Sequence, residues 1–164
     1  MSSPDLAARL IGRLTERGLT IAAAESLTGG ELIAELTSVP GASAVVLGGA
    51  VVYATALKHS LLGVDEELLE REGPVHPDVA RQLADGVRER LAVSGRPADI
   101  GLSTTGVAGP DPQGGRSVGT VFIGLSLESG TRVVELALDG DRAQIRRQVV
   151  DRVLAELAME LGIG

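Results

Sequence analysis

One Phe, one Tyr and no Trp leave this chain of 164 residues to build its core from Leu, Ile, Val and Ala. Such a core has few bulky wedges, and 22 Gly together with many Ala allow helices and strands to approach closely. Hydrophobic residues make up 44%, enough for one domain of ordinary size, and the whole of 1–164 reads as a single unit without repeat, linker or low-complexity segment.

The periodicity of the apolar residues alternates between helix and strand. Residues 4–17 carry Leu6, Leu10, Ile11 and Leu14 on one helical face, and Gly18 ends that helix. Residues 19–24 read as a buried strand, 31–38 as a helix stopped by Pro40-Gly41, and 44–53 as a second strand. Short helices follow over 54–62 and from Asp65 to Arg71, then a longer one over 77–94. Residues 98–104, 118–127 and 131–138 read as strands, the last two joined in a hairpin through Glu128-Ser129-Gly130. Asp141 with Gln144 three residues on forms a capping-box pattern, opening a helix whose buried stripe is Ile145, Val149, Val153, Leu154 and Leu157. This order predicts an α/β fold, a three-layer α/β/α sandwich around a mixed central sheet.

Several function classes fall away. A net charge of −7 argues against a general nucleic-acid binder, which needs a basic stripe, but leaves room for a small anionic ligand held by local arginines. The absence of cysteine removes disulfides, thiolate metal sites and cysteine nucleophiles. The only histidines, His59 and His76, are scattered and argue against zinc. No apolar run reaches the length of a membrane span and no basic-then-apolar leader opens the sequence, so a cytoplasmic location is the default expectation. A glycine-rich, apolar chain of this size is also compatible with homo-oligomers.

Four segments carry candidate chemistry. Glu25-Ser26-Leu27-Thr28-Gly29-Gly30 joins a strand to a helix, the place where α/β proteins bind ligands, and puts a serine at the sheet end. Amides near Gly29 and Gly30 would suit a developing negative charge; the plainer alternative is an ordinary helix entry with Ser26 or Thr28 as N-cap. Tyr53-Ala54-Thr55-Ala56-Leu57-Lys58 holds the single tyrosine and the single lysine among 15 basic residues. Arginine stays protonated and cannot serve as a base, whereas a buried lysine can. Lys58 is thus a candidate base for Ser26, against the alternatives of a lone surface lysine and of a Tyr53 ring that simply packs. A Ser-His-Asp arrangement through His76 is conceivable but lacks a motif. The glycine-rich stretch from Thr104 through Thr105 and Gly106 to Asp111 is rich in free amides and follows a strand, so it suits an anion or a ring; otherwise it is a surface turn. Arg142 and Arg146 share a helix face near its N-terminus, where phosphate is favoured, or else they are solvated.

In this order and spacing, ESLTGG, GGAVVY followed by ATALK, TGVAGPD followed by GG and VGTV, and GDR followed by RRQ resemble the CinA C-terminal domain family, whose stand-alone members are nicotinamide mononucleotide deamidases. The resemblance covers nearly the whole chain. It implies a hydrolase that converts nicotinamide mononucleotide to nicotinate mononucleotide and ammonia through a Ser/Lys pair, with no metal and no cofactor. By position, Ser26 matches the nucleophile, Lys58 its lysine and Tyr53 the tyrosine beside the site. Thr105 and the glycines after it match the ligand loop, and Arg142, with Arg146 nearby, falls where the phosphate is expected. A pyridine nucleotide is then the partner. The chain departs from the family pattern at Ala54-Thr55, where Ser-Asn is common, and at Pro74-Val75-His76, where Ala-Val-Ser is usual. Other outcomes consistent with the same residues are a nucleotide-binding regulatory domain without turnover and a serine amidohydrolase for another small amide.

Overall fold

The computed structural model describes residues 3–163. In chain order it comprises α1 (Ser3–Arg17), β1 (Ile21–Glu25), α2 (Glu31–Thr37), a 3-10 turn (Ala42–Ala44), β2 (Val46–Val51), α3 (Thr55–Leu62), α4 (Glu66–Glu72), α5 (Pro77–Arg90), β3 (Ile100–Gly106), β4 (Thr120–Leu127), β5 (Gly130–Ala137) and α6 (Arg142–Glu160). The strands form one mixed sheet in the order β2-β1-β3-β4-β5. β1 runs parallel to both β2 and β3, while β3-β4 and β4-β5 are antiparallel.

Period-two alternation distributes the core between two faces of this sheet. Ile21 and Ala23 of β1, with Ile100 and Leu102 of β3, pack against α1, α2 and α6. Ala22 and Ala24 face α3, α4 and α5 through Leu62, Leu68, Val79, Leu83 and Val87. The expected α6 stripe of Ile145, Val149, Val153, Leu154 and Leu157 is wholly buried. Its capping box is present in both directions: the Gln144 amide donates to Asp141 Oδ1 (2.9 Å) and the Asp141 amide to Gln144 Oε1 (2.8 Å).

Glycine sets the distance between layers where aromatic residues are missing. A Cβ on Gly101 of β3 would sit 2.1 Å from the Ala84 carbonyl oxygen of α5, and one on Gly86 of α5 would sit 2.0 Å from the Leu62 carbonyl oxygen of α3. Helix α5 therefore lies directly on β3, and α3 directly on α5.

Several boundaries differ from the sequence pattern by one or two residues, the strand expected at 98–104 among them, which runs over Ile100–Gly106, and two further differences have a clear local cause. The long helix stops at Arg90, not residue 94, because Ser94 (φ 52°) and Gly95 (φ 75°) turn the chain so that Val93 and Arg96 pair. The second strand is shorter than 44–53. Ala44 belongs to the 3-10 turn, and at the other end Val52 and Tyr53 leave the sheet, which frees their carbonyls for the site. Among the described residues no helix is long and apolar enough to cross a membrane.

Candidate active site

Strand β1 ends at Glu25, and Ser26 follows in a turn carried by Gly29 (φ 58°) and Gly30 (φ 102°) into α2. Neither Ser26 nor Thr28 caps that helix. The N-cap is Gly30, which has no side chain, and Glu25 reaches over to do the work instead. Its side chain is fully buried and accepts from the amides of Gly30 (3.0 Å), Leu32 (3.1 Å) and Ile33 (2.9 Å). Glu25 is not among the site residues expected from the sequence. The available signal was an acidic side chain at the end of an otherwise apolar strand, ahead of a helix lacking a Ser, Thr, Asn or Asp at its N-cap.

Lys58 comes to Ser26 from the opposite layer. Helix α3 starts immediately after β2, and its second turn directs Lys58 inward, where it is 1% exposed. The Nζ atom lies 3.0 Å from Ser26 Oγ, 2.7 Å from the Val52 carbonyl oxygen and 3.4 Å from that of Tyr53. Burial lowers its pKa from 10.5 to about 8. A neutral amine has two N–H donors and one lone pair. Both carbonyls can only accept, so the two N–H groups point at Val52 and Tyr53 and the lone pair is left facing the Ser26 hydroxyl. That arrangement can take a proton from Ser26.

Ser26 and Lys58 lie in a cleft of about 550 Å³ of empty space, part of it open to solvent, bordered also by Tyr53, Pro74, Thr105, Gly106, Asp111 and Arg142. Tyr53 does not pack into the core, the residue being 59% exposed; its hydroxyl accepts from Arg142 Nη2 (2.9 Å). Arg142 Nη1 donates to the Gly109 carbonyl (2.7 Å), so this side chain joins the end of β2 to the loop after β3 across the mouth of the cleft.

The remaining residues singled out in the sequence stand elsewhere or are otherwise engaged. Thr28, Gly29 and Gly30 do not border the cleft. The Gly29 amide donates to the Ser26 carbonyl (3.1 Å) and the Gly30 amide to Glu25, so neither is free for an oxyanion. Thr28 Oγ1 is buried against Thr104 Oγ1 (2.9 Å), which also accepts from the Ser26 amide (3.3 Å). Thr105 borders the cleft, but its hydroxyl donates to the Pro74 carbonyl (2.6 Å) and fastens the loop before α5 to the sheet. Arg146 lies outside the cleft, bonded to the turn after Ser26 and to Glu31, and so differs from the expected partner of Arg142. His76 caps α5 by accepting the Asp78 amide at Nδ1 (3.1 Å), and His59 Nδ1 donates to the Val64 carbonyl (2.8 Å). The basic group beside Ser26 is Lys58. Among the described residues no three His, Cys, Asp or Glu side chains are grouped to hold a metal ion.

The sequence model of the CinA C-terminal domain matches residues 3–161. A CinA-like protein from Frankia casuarinae is 51% identical over 141 residues, which is 86% of this chain and 31% of that protein; the chain spans about a third of that relative's length. Among solved structures, a competence or damage-inducible protein from Enterobacter asburiae superposes with a TM-score of 0.92 at 30% identity, over 98% of this chain and 99% of that one. The competence/damage inducible protein CihA from Agrobacterium tumefaciens gives 0.88 at 34% identity, over 99% of each.

Proposed function

The chain belongs to the CinA C-terminal domain family, and we propose that it is an amidohydrolase that converts nicotinamide mononucleotide to nicotinate mononucleotide and ammonia. The observation that carries this reading is the buried amine of Lys58, 3.0 Å from Ser26 Oγ and within hydrogen-bond distance of the Val52 and Tyr53 carbonyls.

Ser26 Oγ attacks the carboxamide carbon while its proton passes to Lys58 Nζ. The pyridinium ring of the substrate withdraws electrons and eases that attack. The amide of Leu27, next after Ser26 and on the cleft wall, is the backbone donor this reading assigns to the oxyanion, in place of the engaged amides of Gly29 and Gly30. Collapse of the tetrahedral adduct breaks the C–N bond. Lys58 returns its proton to the departing nitrogen, which leaves as ammonia, and an ester remains on Ser26. Water then attacks the ester, again passing a proton through Lys58, and restores Ser26 as nicotinate mononucleotide departs. Arg142 binds the phosphate at the cleft mouth. Two of its five N–H donors hold Tyr53 and Gly109, so others remain for the ligand.

Ammonia release from nicotinamide mononucleotide by the purified protein tests this directly. The reading expects turnover that disappears in Ser26→Ala. Saturable binding by calorimetry with no ammonia would instead favour a regulatory domain, and turnover of other small amides alone would move the substrate.

A further inference from the structure

Arg142 and Arg146 lie one helical turn apart at the start of α6, yet they engage different surroundings. Arg146 Nε donates to the Leu27 carbonyl (2.9 Å) and Nη2 to the Thr28 carbonyl (3.1 Å), while Nη2 also lies 2.6 Å from Glu31 Oε1. Its guanidinium is pressed against the main chain just after Ser26, so that a Cβ on Gly29 would come within 3.3 Å of Nη2. A phosphate arriving here would have to displace both carbonyls and compete with Glu31. Glu25 makes the converse set of contacts, accepting the three amides at the start of α2.

The segment between these two grips needs them. Gly29 and Gly30 are consecutive left-handed residues, and glycine loses more conformational freedom on ordering than any other residue. Left to itself the turn would sample many paths. Peptide planarity makes the grip directional: fixing the carbonyls of Leu27 and Thr28 fixes the amides of Thr28 and Gly29 on the opposite edges of the same planes. Ser26 is thereby held toward Lys58 by a cation on the carbonyls and an acid on the amides.

We propose that Arg146, together with Glu25, is a positioning residue for the Ser26 turn and does not bind the substrate phosphate. The proposal rests on the amidohydrolase reading only for its choice of substrate. A misplaced nucleophile costs turnover, so Arg146→Ala lowers kcat about 10- to 100-fold with KM little changed. The loss is equal for nicotinamide mononucleotide and for its nucleoside, nicotinamide riboside, because it does not involve the phosphate. Arg142→Ala, in contrast, erodes the preference for the nucleotide. Arg146→Lys regains part of kcat, since an ammonium reaches one carbonyl and Glu31. Glu25→Gln, which replaces one acceptor oxygen by an NH2 facing the Ile33 amide, gives the same kcat-centred loss and serves if Arg146→Ala does not fold.

The proposal is overturned if Arg146→Ala raises KM for the nucleotide alone, or if the folded variant turns over at the wild-type rate with only its melting temperature lowered. If the wild-type protein releases no ammonia, the amidohydrolase reading fails, and a second arm still decides. A fluorophosphonate reagent labels Ser26 with loss of fluoride, and intact mass follows the rate. Slower labelling in Arg146→Ala upholds the clamp; labelling at the wild-type rate overturns it.

Discussion

The two ends of β1 are fastened by acidic side chains, but to opposite effect. At its start, Asp99 Oδ2 accepts from both the amide and the hydroxyl of Thr20 (2.8 Å each), and the Asp99 amide returns a bond to Thr20 Oγ1 (3.2 Å), tying β1 to β3. At its end, Glu25 ties β1 to α2 through three amides. The first knot closes on itself. The second leaves the next residue, Ser26, beside a buried amine that forms no ion pair among the described residues. Desolvation penalises the charged form of a buried amine, so its presence at one end of the strand and not the other makes that end the candidate for chemistry.

Removing the proposed nucleophile should separate the ends most sharply. Ser26→Ala is expected to reduce ammonia release by at least about a thousandfold while circular dichroism and melting temperature stay near wild type, since only a hydroxyl at the cleft edge is lost. A variant that kept most of its turnover would remove Ser26 from the mechanism.

Lys58 comes next in size and offers a pH signature. Loss of a general base costs about 10²- to 10⁴-fold, so Lys58→Met and Lys58→Arg should both fall in that range, the arginine variant at every pH because guanidinium does not deprotonate. In the wild type, kcat/KM should rise as Lys58 loses its proton and level off above about pH 8. Stability should carry the same signature. Folded Lys58 titrates near 8 and the unfolded chain near 10.5. Between these values the unfolded state binds more protons, so stability rises with pH across that window, by on the order of 3 kcal/mol. Below pH 8 both states are protonated and the penalty is constant. Lys58→Met should abolish the slope in denaturant titrations between pH 8 and 10; an unchanged slope would assign it to other groups.

How much of this was legible in the sequence depends on what each residue reports. The element order followed from apolar periodicity, and the capping box at Asp141 and Gln144 was visible because its partners are three residues apart. Ser26 and Lys58 stood out by type and by rarity, but they are 32 residues apart, and only the parallel pairing of β1 with β2 brings the ends of both strands to one place. Glu25 and Arg146 were the opposite case. Glu25 read as part of a motif and drew no role, because its partners are backbone amides that every sequence possesses. Arg146 read as half of a phosphate pair because helical spacing places it on the face of Arg142. Spacing does not say how far a side chain bends back, and the carbonyls of Leu27 and Thr28 drew it away from the cleft.

The other end of β1 supplies the smallest expected effect and the control for all of these. Asp99→Ala deletes the acceptor of the Thr20 amide and hydroxyl without touching any residue that borders the cleft. Leaving a buried donor without a partner costs about 1–3 kcal/mol, and Thr20 is only half-buried, so water can take over part of the bonding and the loss should sit near about 1 kcal/mol. The melting temperature then drops by a few degrees while kcat and KM hold at wild-type values. If kcat fell in proportion to the Glu25→Gln variant, the two ends of the strand would be mechanically coupled through β1, and the separation of a closed structural knot from an open catalytic one would have to be abandoned.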